Sequence, residues 1–240
     1  MLSFILALLL QLAPAPQRTF LAIGAHAGDV ELTSGALLLK QSSRGDRVVI
    51  LHLTLGEGGN ARLDAKTYGE QKRREATAVA KSLGAEVIFG PYKDGEIPDD
   101  EATRRYVAGV IRDVKPTHII THWKNSMHRD HAAASAVARD AVLLASLSGW
   151  RGVRSVWYAE NWEDAEGFQP YVYVNVSDVL AKWREAVRQY EFVGGKISSF
   201  AYLDYYTALA TVRGAEARKG QAVAFDIESW GKKRVLDSVD

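Results

Sequence analysis

Two histidine and carboxylate segments are the residues best equipped for chemistry in this sequence: His26-Ala27-Gly28-Asp29 and His128-Arg129-Asp130-His131. Neutral imidazole and carboxylate are the ligands of a catalytic zinc, which takes three protein side chains and leaves a fourth position open. A His and an Asp three residues apart on a tight turn can aim at one point, and a third ligand from a neighbouring strand end completes such a set. The chain contains no cysteine, so disulfides and thiolate sites are excluded and any metal must be held by His and carboxylate. Taken alone, each histidine is more often a surface or capping residue. Their joint placement after two strands favours a shared site.

The elements that must position these residues alternate between short β-rich runs and longer amphipathic runs, the pattern of βαβ units that build a parallel sheet. Strands are expected at Thr19–Ala25, Arg47–Thr54, Glu86–Phe89, Thr117–Thr121, Val153–Ala159 and Tyr171–Val174. Helices are expected at Leu32–Gln41, Tyr68–Leu83, Asp99–Val114 and Asp130–Leu147, with a further one capped by Ser177 and running to Phe192. Gly84 stands in the position that ends the second of these helices, and Lys115-Pro116 stops the third. The stretch from Ser198 onward reads as less regular. In an open parallel sheet ligands bind at the carboxyl ends of the strands, and both histidine segments follow strands.

The balance of 30 basic and 29 acidic residues leaves a formal charge of +1, which gives no reason to expect nucleic acid or an anionic membrane as partner. With 47% hydrophobic residues over 240 positions the chain can bury a sizeable core, and one domain over 16–240 is expected. Residues 2–12 are almost continuously apolar and are followed by Ala13-Pro14-Ala15, which reads as an export signal over 1–15 that would place the mature protein outside the cytoplasm, the alternative being a short hydrophobic helix retained on a cytoplasmic protein. The run falls short of the ~20 residues a membrane span requires. No G-x-G-x-x-G follows the first strand, against a dinucleotide, and Gly56, Gly58 and Gly59 read as a loop rather than a phosphate cradle. His52, His118 and His122 are expected to serve in packing or at the surface, as are Trp150, Trp157, Trp162 and Trp183. Oligomeric state is not legible.

Gly24-Ala25-His26-Ala27-Gly28-Asp29-Val30-Glu31 resembles the Ala-His-Pro-Asp-Asp-x-Glu signature of the LmbE-like, or PIG-L, N-acetylglucosaminyl deacetylase family, and His128-Arg129-Asp130-His131 resembles its His-x-Asp-His signature. Thr54-Leu55-Gly56-Glu57-Gly58-Gly59, Asp94-Gly95 and Val176-Ser177-Asp178-Val179 extend the likeness over nearly all of the chain after the leader. The resemblance implies a Rossmann-like α/β fold, mostly parallel, with helices on both faces. It also implies a Zn2+ ion, or another divalent metal, on His26, Asp29 and His131. It makes His128, as imidazolium, the group that steadies an oxyanion, Asp130 the partner that orients a histidine ring, and Lys72 and Asp94 substrate contacts. The implied activity is hydrolysis of the N-acyl amide of a small-molecule or glycan substrate. One departure stands out: the family's general-base Asp is Gly28 here. A positioned acid-base group is worth about 10²–10⁴ in rate, so the departure implies a slow enzyme, a substitute base, or binding without turnover. Glu31 and Glu57 are the candidate substitutes.

Overall fold

The computed structural model describes residues 17–164, 166–195 and 197–233; the expected export signal lies outside them. Seven strands form one sheet in the order β3-β2-β1-β4-β5-β7-β6. They are β1 (Thr19–Gly24), β2 (Arg47–His52), β3 (Glu86–Phe89), β4 (His118–His122), β5 (Ser155–Ala159), β6 (Val172–Asn175) and β7 (Ala222–Ile227). The first five in sequence run parallel, while β7 is antiparallel to both β5 and β6.

The period-2 geometry of a strand sends alternate side chains to opposite faces, and here both faces are buried. Phe20, Ala22, Val48, Ile50 and Ile120 enter one core, where they meet α2 (Gly35–Ser43), α3 (Ala65–Ser82), α6 (Leu180–Val187) and α7 (Tyr202–Glu216). Leu21, Ile23, Val49, Leu51 and Ile119 enter the other, packed on α4 (Glu101–Val114) and α5 (Arg129–Leu147). Strands covered on both sides read as unbroken apolar runs, which is why β1, β2 and β4 were legible.

Three expectations are corrected. The helix expected over Leu32–Gln41 is two pieces, α1 (Asp29–Thr33) and α2, broken at Ser34. Ser177 does not cap α6: its hydroxyl donates to Asn175 Oδ1 (2.8 Å), and the helix ends at Val187, short of Phe192. The region after Ser198 is regular and contains α7 and β7. Leu203, Tyr206 and Ala210 make one buried face of α7, but exposed Ala208, Val212 and Ala215 put apolar residues on the opposite face as well, so no clean stripe announced it. No helix among the described residues is long and apolar enough to cross a membrane.

Connections from β1 lead to β2 and β3 on one side, and the chain then returns to β4 and β5 on the other. The reversal lies between β1 and β4, whose register pairs Ala22 with Ile120. At such a switch point the loops leaving the carboxyl ends diverge and open a crevice. Both histidine segments emerge there.

Candidate functional site

β1 ends at Gly24 and the chain turns through Ala25–Gly28 into α1, with Gly28 at φ +110° as its N-cap. The side chains of this turn are fixed by Asp29, whose Oδ2 accepts the backbone N–H of His26 at 2.8 Å. From the other side, His128 caps α5, so Asp130 and His131 fall in its first turn. The result is a compact triangle. His26 Nδ1 lies 3.1 Å from Asp29 Oδ2, and His131 Nε2 lies 3.3 Å from each of them.

Ligands about 2.0–2.2 Å from a tetrahedral zinc stand about 3.3 Å apart, so the spacing and the N, N, O chemistry of this set fit such an ion. His26, Asp29 and His131 could hold one. Their ionisation points the same way. Burial disfavours the charged form of His131, but the Asp29 carboxylate and bonds to Asp29 and Glu163 outweigh it and push the ring up to about 9. Burial acts likewise on His26 and is outweighed by Asp29, then by Asp130 and Asp94, which raise it well above the usual histidine range. Burial would raise the Asp29 carboxyl, yet the His131 and His26 charges hold it well below the usual carboxylate range. Without metal the cluster is an imidazolium and carboxylate assembly, and a cation must displace its protons.

Each histidine turns its second nitrogen to a carboxylate, the arrangement that fixes a ligand ring and its tautomer. His26 Nε2 sits 3.0 Å from Asp94 Oδ1 and 3.3 Å from Asp130 Oδ2. Asp130 is completely buried and also accepts the Gly95 N–H at 2.7 Å. His131 Nδ1 is 3.2 Å from Glu163 Oε1. Asn161 Nδ2 donates to the same Glu163 oxygen, while its own Oδ1 accepts the Tyr206 hydroxyl. Loss of such a partner weakens metal binding about 10–100-fold. Asp130→Asn is therefore expected to lower zinc affinity by that factor in a competition titration against a chromophoric chelator, an unchanged affinity being the contrary result.

Around the triangle opens a cleft of about 260 Å³, close to the lower end of the range of small-molecule sites. Asp94, Lys72 and His128 line it together with Tyr68, Trp162, Glu163, Phe192 and Tyr202. A smaller, mostly apolar cavity of about 20 Å³ behind Leu32 and Tyr206 holds none of the cluster.

Several residues take parts other than those expected. Glu31 does not line the cleft; it is completely buried beneath it, with Oε1 accepting from Tyr190 Oη at 2.6 Å and standing 3.1 Å from His52 Nε2. Those partners keep it out of reach of substrate. Glu57 is also absent from the cleft wall, its Oε1 accepting the Asp94 N–H at 3.0 Å. Both Asp94 oxygens are engaged, one by His26 and one by the Gly58 N–H. Asp94 therefore steadies His26 before it can meet a ligand. Lys72 is buried, donates to the Ala27 carbonyl and is held down to about 8 by burial, against the pull of Asp29, Glu31, Glu75 and Asp94. His128 is kept below its ordinary value by burial and then by the charges of His131 and His26. Its Nδ1 accepts the Asp130 N–H, so the neutral ring carries its proton on Nε2.

His122, expected in packing or at the surface, lies under the cluster: it accepts the Ala25 N–H at 2.9 Å and stacks on His131 at 4.0 Å. Its position at the carboxyl end of β4 was the available signal. His118, at the other end of that strand, packs between Phe20 and Trp157. Glu163 was missed although it follows β5 in an acidic loop.

The PIG-L family profile, described as GlcNAc-PI de-N-acetylase, matches residues 21–142. The 4-oxalmesaconate hydratase of Pseudomonas putida is 25% identical over 224 residues, covering 87% of this chain and 84% of the hydratase. The 1D-myo-inositol 2-acetamido-2-deoxy-alpha-D-glucopyranoside deacetylase of Salinispora arenicola is 27% identical over 174 residues, 60% of this chain and 56% of the deacetylase. In fold, the crystal structure of the 4-carboxy-2-hydroxymuconate hydratase from Pseudomonas putida superposes with a TM-score of 0.82 at 21% identity, covering 93% of this chain and 100% of the other.

Proposed function

Because the chain belongs to the PIG-L family, we propose that it is a zinc-dependent hydrolase that cleaves the N-acyl amide, in the first place N-acetyl, of an amino sugar or amino-sugar conjugate. The observation that carries this reading is the triangle of His26 Nδ1, Asp29 Oδ2 and His131 Nε2, with edges of 3.1–3.3 Å at the wall of an open cleft. A divalent cation bound there supplies Lewis acidity toward an amide carbonyl and makes water a competent nucleophile at neutral pH. The protein's own groups do the rest. Asp94 and Asp130 hold His26, and Glu163 with Asn161 holds His131, so the ligand set is pre-organised. His128 presents its Nε2–H to the cleft as a donor for the oxyanion of a tetrahedral intermediate.

The Salinispora deacetylase supports the amide substrate. A second reading is favoured by Gly28, since the chain lacks the side chain that would act as base in the deacetylase pattern. The same cation and donors can polarise a conjugated acid for addition of water, and the hydratase of Pseudomonas putida matches over most of both chains.

An assay of the zinc-loaded protein separates the two. N-acetylglucosamine conjugates are expected to release acetate and a free amine, while the ultraviolet absorbance of an unsaturated 2-oxo dicarboxylate stays constant. Loss of that absorbance with the amides left intact would sink the deacetylase reading. Inertness toward both would leave a binding protein.

A further inference from the structure

The place of the missing carboxylate is filled, and by a residue 164 positions further along the chain than Gly28. A Cβ built on Gly28 would lie 2.7 Å from Phe192 Cζ and 2.9 Å from its Cε1, closer than such atoms approach, and 3.5 Å from Lys72 Nζ. The Phe192 ring centroid is 4.0 Å from Lys72 Nζ and the Tyr190 centroid 4.7 Å, so two aromatic faces meet the ammonium while it donates to the Ala27 carbonyl. The ring is not a loose neighbour. Tyr190 is anchored to Glu31 at 2.6 Å, the Glu191 N–H donates to Glu75 on α3, Gln71 donates to the Glu191 carboxylate at 2.6 Å, and Tyr202 packs edge-on against Phe192.

We propose that Phe192 is a positioning residue: its ring takes the direction in which a side chain on residue 28 would project and, with Tyr190, holds the Lys72 ammonium over the Ala27 carbonyl in the floor of the cleft. A buried ammonium has lost most of its water. The negative faces of two rings and one carbonyl replace that solvation in part, and the carboxylates of Asp29, Glu31, Glu75 and Asp94 add their field. Removing one ring leaves the ammonium free to leave the carbonyl. The cleft thereby keeps a fixed cation where a carboxylate would otherwise stand, which reverses the charge it presents to a substrate at that point. This inference does not depend on the reaction catalysed.

The test needs neither substrate nor metal. In the full chain at pH 6, where the amine is protonated in every variant, hydrogen exchange of the Lys72 ammonium is followed by ¹⁵N NMR. Phe192→Leu, which keeps an apolar side chain and removes the π face, is expected to speed exchange about thirtyfold, the size of a desolvated cation–π hold; an unchanged rate overturns the hold on Lys72. A melting cycle tests the occupied place. Gly28→Ala is expected to lower Tm several degrees more in the unaltered chain than in Phe192→Ala, because the clash is present only in the former. Equal losses would mean that the positive φ of Gly28 alone resists a side chain, and would overturn the occupancy.

Discussion

Replacement of His131 by Ala is expected to reduce bound zinc to below about one-tenth of an equivalent and kcat/KM on an amide substrate by on the order of 10³-fold or more. Elemental analysis after dialysis and initial rates under saturating metal read the two effects. The size follows from what His131 supplies: one of three ligand atoms, 3.3 Å from the other two, with its far nitrogen 3.2 Å from Glu163. Two ligands and water hold a divalent ion far more loosely, and the cation is the sole strong electrophile such a site offers. His26→Ala and Asp29→Ala should behave alike. Metal binding also competes with protons on a ring pushed up to about 9, so affinity in the unaltered chain should climb as pH rises toward that value. Full zinc retention by all three variants would be the contrary finding.

Gly28→Asp is expected to lower Tm by about 4–24 °C and to give no gain in turnover. Restoring the family's carboxylate would be worth about 10²–10⁴ in rate were there room for it. There is none. Gly28 sits at φ +110°, a conformation that costs a non-glycine residue about 1–3 kcal/mol. Forcing a side chain against Phe192, 2.7 Å from the new Cβ, adds about 1–3 kcal/mol of overpacking. Together these amount to roughly 2–6 kcal/mol, and about 2–4 °C per kcal/mol is usual at this chain length. Differential scanning fluorimetry and the amide assay check both halves. A rise in activity without loss of stability would mean that Phe192 yields easily and that the cleft still accommodates a base at position 28.

The parts of the fold that were legible in the sequence are those where local pattern and tertiary demand coincide. β1, β2 and β4 are buried on both faces, so Phe20–Ile23, Val48–Leu51 and Ile119–Ile120 read directly as strands. α7 was invisible for the converse reason. Leu203, Tyr206 and Ala210 share its buried face, but Ala208, Val212 and Ala215 are exposed on the opposite one, so apolar residues circle the helix and its period is blurred.

The site divides in the same way. His26, Asp29 and His131 could be picked out because each follows a strand at the carboxyl edge, where the topology gathers loops. Which carboxylate backs which ring was not legible. Asp94 and Asp130 meet on His26 from a loop and a helix 36 residues apart in sequence, and nothing local joins them. Glu31 illustrates the limit. Its place three residues after Gly28 suggested a substitute base, but the helical turn of α1 carries it down to His52 and Tyr190 instead of up into the cleft. Phe192 lay beyond any spacing rule, since its partner is a glycine with no side chain to mark the meeting.

The account stands or falls on one divalent ion at one point between β1 and β4. Anomalous diffraction at the zinc edge from crystals grown with the metal tests it directly. A single strong peak is expected about 2.0–2.2 Å from His26 Nδ1, Asp29 Oδ2 and His131 Nε2. Absence of density there, or a peak held by other residues with those three atoms still paired to one another, would contradict it.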